Sequence, residues 1–124
     1  KSRCGVNATL NVLQAPTATK AFGVANLATG GVTSLTLTFT NTNAAAASGL
    51  AFTDTFPVAP GAMTLANVTT GNTCGGALTN NLGGAIAVGS AGVRLTGGTI
   101  PGSGTCAVTV NVTVPAAGAY TNTL

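Results

Sequence analysis

The chain contains no histidine, no tryptophan and a single acidic residue, Asp54, against four basic residues in 124. Each shortage closes a class of function. A Ser-His-Asp triad needs the missing imidazole, and a two-carboxylate glycosidase needs a second acid. A calcium site wants several carboxylates, and three cysteines without histidine make a poor zinc set. No catalysis, no metal, no cofactor and no small-molecule substrate are therefore expected. Glycine-rich stretches such as Gly97-Gly98 lack the strand–loop–helix setting of a phosphate-binding loop and read as turns. The net charge of +3 does not point to nucleic acid. Lys1 and Arg3 stand at the N-terminal end, Lys20 and Arg94 are isolated, and phosphate binding needs a clustered basic face. No apolar run approaches the roughly 18 residues of a membrane span. No signal peptide is visible, and the chain reads as a mature form from which one has been removed.

Aromatics are scarce as well: Phe22, Phe39, Phe52, Phe56 and Tyr120 are all there are. Hydrophobic residues make up 45% of the chain, but Ala supplies 22 of those positions. Hydrophobic stabilisation scales at about 25 cal/mol per Å² of apolar surface, so an Ala-rich core is thin. A disulfide or burial against another subunit would supplement it. Charged residues are 4% of the chain, far below the roughly 25% of soluble domains. Mutual repulsion is then weak, which fits a chain packed in an assembly; the alternative is a piece of a larger, similarly neutral surface protein.

What is abundant is Thr (23), Gly (18) and Asn (11). Thr suits a pleated surface, while Gly and Asn supply the positive φ of tight turns. Period-2 alternation dominates. In Cys106-Ala-Val-Thr-Val-Asn-Val-Thr-Val114, Cys106, Val108, Val110, Val112 and Val114 share one face. Val32 to Asn41 repeats the pattern, with Leu35, Leu37 and Phe39 inward. Shorter strands are expected at Leu50 to Phe56 and Met63 to Thr70, weaker ones at Ala85 to Val88 and Gly92 to Thr96, and a last one at Ala119 to Leu124. Val6, Ala8, Leu10 and Val12 alternate with Asn7, Thr9 and Asn11, but Pro16 disfavours regular continuation. The layout predicted is a detachable strand arm over 1–14 and an all-β sandwich over 15–124.

Several segments occur in a recognisable order. They are Pro16-Thr-Ala-Thr-Lys20-Ala-Phe22, Leu35-Thr-Leu-Thr-Phe-Thr-Asn41-Thr-Asn43, Ala51-Phe-Thr-Asp54-Thr-Phe-Pro57, Asn72-Thr-Cys74-Gly-Gly76, Gly104-Thr-Cys106-Ala-Val-Thr-Val110 and Gly118-Ala-Tyr120-Thr-Asn122-Thr123. From about residue 15 to 124 the chain resembles the conserved-repeat, Ig-like domains of unknown function found in tandem in large bacterial surface proteins. The resemblance implies an Ig-like β-sandwich, secretion and no known catalysis. In such repeats the Tyr-Thr-Asn-Thr strand is followed by one resembling Ala-Thr-Leu-Asn-Val-Leu. Here Ala8-Thr-Leu-Asn-Val-Leu13 stands in front instead, so the module looks cut one strand out of phase.

The family pattern pairs Cys74 with Cys106, a disulfide that implies an oxidising compartment; two buried thiols are the alternative. Cys4 is left over, a free thiol or an intermolecular partner. Lys20, Asp54 and Asn122 form one further constellation. A surface domain can join Lys to Asn as an amide when a buried acid shuttles the protons; an ordinary Lys20–Asp54 ion pair with Asn122 on the surface is the plainer expectation. Together these readings predict a self-assembling extracellular filament or surface-layer subunit whose partner is another copy of itself. Residues 6–13 would complete the neighbour's sheet beside the strand ending at Leu124, with Val6, Ala8, Leu10 and Val12 pointing inward. An adhesin-type binding repeat of a larger surface protein is the alternative, and it would need an exposed aromatic platform.

Overall fold

The computed structural model describes residues 5–10 and 12–123, and the fold is all-β. Seven strands run in chain order: β1 (Thr17–Phe22), β2 (Val32–Asn41), β3 (Ala47–Thr55), β4 (Thr64–Asn72), β5 (Ala77–Asn80), β6 (Gly92–Ile100) and β7 (Gly104–Thr113). They form two sheets, one ordered β1-β2-β7-β4 and the other β3-β6-β5. Every pairing is antiparallel, and the sheets meet in a sandwich-like arrangement.

The two strongest alternating segments become the two central strands of the larger sheet. β2 and β7 pair over their whole length, from Val32 opposite Thr113 to Asn41 opposite Gly104. Because side chains alternate faces along a strand, Leu35, Leu37 and Phe39 from β2 meet Val108, Val110 and Val112 from β7 on the buried side. The intervening threonines face outward, where the Thr36 and Thr109 hydroxyls lie 3.1 Å apart. The second sheet closes the core with Val93, Leu95 and Ile100 of β6. Phe39 of one sheet and Phe52 of the other stack with centroids 5.2 Å apart.

Several expected elements differ. Gly97-Gly98 is not a turn; it lies inside β6, where the β3–β6 register shifts around Leu50 opposite Gly98. Such a bulge requires an unusual backbone conformation, and Gly97 supplies it with φ of 67°. Ala85 to Val88 is no strand. Leu65 of β4 is bonded instead to the loop beyond it, donating to the Ser90 carbonyl and accepting from Gly89 N–H. Ser90 Oγ also donates to the Ala87 carbonyl at 2.7 Å, which turns the chain back. The four-residue β5, carrying Ala77–Asn80, is a strand the periodicity does not reveal. Residues 119–123 form no strand either, and Leu124 lies outside the described residues.

Candidate functional site

The one acidic side chain sits at the centre of the candidate site. β3 turns Asp54 inward beside Val93 of β6, and its side chain is wholly buried. A Cβ on Gly92 would meet the Asp54 carbonyl oxygen, so glycine there lets the two backbones close on each other. Phe56, two residues on, is buried as well, so the carboxylate lies among apolar groups and needs partners.

Two residues from opposite ends of the chain supply them. Lys20 lies on β1, the edge strand of the other sheet, and its Nζ donates to Asp54 Oδ1 at 3.1 Å with only 14% of the side chain exposed. Asn122 comes after the turn beyond β7, and its Nδ2 donates to Asp54 Oδ2 at 3.0 Å. The two carboxylate oxygens thus each hold one nitrogen. The Asn122 Oδ1 is buried and has no hydrogen-bond partner among the described residues. Asn122 is therefore not a surface residue beside a simple ion pair; all three groups converge on one carboxylate. In chemical terms, an amine and an amide are presented to a single proton acceptor, with a carbonyl oxygen held away from water.

The approach of Asn122 depends on a residue to which the sequence assigns no role. Tyr120 Oη donates to the Ala116 carbonyl at 2.7 Å and pins the turn that leads from β7 to Asn122. The signal available beforehand was slight: one tyrosine, four residues after Ala116 and close to Gly118.

Cys74 and Cys106 form a disulfide. Asn72 pairs with Val108 at the end of the β4–β7 ladder, and Thr73 N–H bonds to the Ala107 carbonyl, so the bond extends the same ladder. It joins neighbouring strands of one sheet. Cys4, the other cysteine, lies outside the described residues.

The described residues of the arm make no strand with their own domain. Residues 5–10 and 12–16 have no regular structure, and Val6, Leu10 and Val12 are 82%, 85% and 83% exposed. Ala8 is exposed too, while Asn11 lies outside the described residues. The arm is tied at its base, where Gln14 N–H donates to Asn43 Oδ1 and Asn43 Nδ2 donates to the Gln14 carbonyl. β3 pairs with β6 on one side only, leaving its other edge without a strand among the described residues.

Among the described residues no group of His, Cys, Asp or Glu could hold a metal ion, and no helix is long and apolar enough to cross a membrane. The profile of a family described as a domain of unknown function (DUF7933) matches residues 16–124. No curated protein matches the chain.

Proposed function

The chain belongs to this uncharacterised family, and from that premise and the exposure of its arm we propose that it is a structural subunit of an extracellular filament or surface layer. Residues 6–13 of one copy would enter the sandwich of the next. The observation that carries this reading is the arm itself. Val6, Leu10 and Val12 alternate with polar residues along the arm yet stand more than four-fifths exposed. Such a pattern gains its burial only when a sheet edge receives it. An acceptor is at hand in a second copy, because the β3 edge is unpaired among the described residues and the only contact that 119–123 is seen to make with β3 is the Asn122 side-chain bond to Asp54. An open edge of that kind is a liability unless something covers it. A depression of about 350 Å³, lined by Phe22, Leu27, Met63, Val114 and Tyr120 among others, adjoins the same segment and offers room for inward-facing apolar side chains.

Two features support the finer description. The Tyr120-to-Ala116 bond is of the same kind as the tyrosine corner of Ig-like sandwiches. The disulfide fits an oxidising compartment outside the cell, and a bacterial surface is the setting the resemblance implies. Head-to-tail donation is heterologous, so it propagates as an open filament unless it closes into a ring. An adhesin reading has less support, since all five aromatic side chains are buried or half-buried and make no exposed platform.

Electron microscopy of the purified full chain, beside a variant lacking residues 1–14, tests the proposal. Filaments or ordered arrays from the full chain and monomers from the truncated one are expected. A truncated chain that still polymerises, or a full chain that stays monomeric at every concentration, overturns it.

A further inference from the structure

We propose that Lys20 and Asn122 become joined by an amide within one chain, formed by the protein itself with Asp54 carrying the protons. The three groups are already arranged for it. Lys20 Nζ, the nucleophile, is on Asp54 Oδ1, and Asn122 Nδ2, the nitrogen that would leave, is on Asp54 Oδ2. One carboxylate therefore touches both the atom that must lose protons and the atom that must gain one.

The steps balance without any co-reactant. Asp54 Oδ1 takes a proton from the Lys20 ammonium, freeing the lone pair on Nζ. Nζ attacks Asn122 Cγ, and negative charge develops on Oδ1, the buried oxygen that has no partner in the starting arrangement. Rotation of the protonated carboxyl brings that proton to Nδ2, the Cγ–Nδ2 bond breaks and ammonia departs. Of the three protons that began on Nζ, one stays on the new amide nitrogen and one leaves within ammonia. The third remains on Asp54 or goes with the ammonia as ammonium. No electrons are transferred, and no water enters the product.

Position supplies the driving conditions. Holding amine and amide against one carboxylate replaces a bimolecular encounter by an intramolecular one. Burial removes the water that would otherwise solvate the ion pair, and Asp54 is wholly inaccessible. The reaction also removes one awkward feature, the buried lysine ammonium, by turning it into a neutral amide. The link is internal to one chain, so it stands or falls independently of strand donation.

Intact mass of the folded, disulfide-reduced full chain is the direct test. The chain is expected to be about 17 Da lighter than its sequence, the mass of the ammonia displaced by the lysine nucleophile. Lys20→Arg, Asp54→Asn and Asn122→Ala should each restore the full mass. Trypsin settles the location even if a variant fails to fold. In the native chain, cleavage after Lys20 should be blocked, and residues 95–124, which follow Arg94 and contain Asn122, should remain attached to the segment holding Lys20. An unshifted mass overturns the proposal. So does a lighter chain from which 95–124 is released free, because that loss would belong to a cyclised asparagine.

Discussion

Cys74 stands across the β4–β7 ladder from Cys106, two residues beyond the Asn72–Val108 pairing, with Cα atoms 5.0 Å apart. The bond closes a loop of 32 residues that contains all of β5 and β6. Restricting a loop of that length in the unfolded chain stabilises the fold by about 3–4 kcal/mol on the chain-entropy argument. Unfolding free energies of the native chain and of the Cys74→Ala/Cys106→Ala pair should differ by that much. A difference near zero would mean that the strand ladder alone holds this loop.

Asp54→Ala leaves the Lys20 ammonium mostly buried with no counter-charge among the described residues. The expected loss is about 3–5 kcal/mol, the usual result of breaking one side of a buried pair. Adding Lys20→Met should make the Asp54→Ala chain more stable again, because the unpaired charge is then gone. Urea unfolding of the single and double variants separates the two contributions. A single variant no weaker than the double one would show that Lys20 escapes to solvent.

Leu10 is 85% exposed on its own domain. Leu10→Asp should therefore change the unfolding free energy by no more than about 0.5 kcal/mol, as for other surface changes. Assembly should nonetheless cease, since a donated arm would carry the charge into a neighbouring core. Thermal unfolding and light scattering on one sample give both answers. Loss of stability with assembly intact would be the opposite of what strand donation requires.

Tyr120→Phe removes the hydrogen bond to Ala116 and leaves that carbonyl without it. A loss of about 0.5–1.5 kcal/mol is expected, with the effect concentrated on 116–123. Amide exchange should accelerate there more than in β2 or β7. Uniform acceleration across the sandwich would assign Tyr120 to the core instead of the turn.

The parts of the fold legible beforehand are those where side-chain period and burial coincide. β2 and β7 are central, buried on one face, and so alternate cleanly. β5 has four residues and half-buried positions, too short a run for period to register. Gly97-Gly98 misleads because the same dipeptide serves a turn or a bulge, and only the partner strand decides which. Ala119 to Thr123 alternates adequately, but a strand needs an edge to pair with, and that belongs to tertiary structure. At the candidate site, scarcity helped: with one acid in the chain, any buried cation had to find Asp54. The Asn122 contact depends on how the segment after β7 packs against the sandwich, the Gly92 approach depends on how β3 and β6 pair, and nothing local in the sequence encodes either.

Lys20 lies four residues into the first strand, and Asn122 lies just after the last turn, with the whole sandwich from Ala21 to Thr121 between them along the chain. Their meeting on Asp54 has a mechanical meaning. Tension applied at the two ends would reach this junction before it reached β2 or β7. Held by the ion pair and hydrogen bond alone, the junction would be the element that yields first under load. Closed by a covalent amide, it would carry the force directly from β1 to the C-terminal segment, and everything between would be shielded from extension.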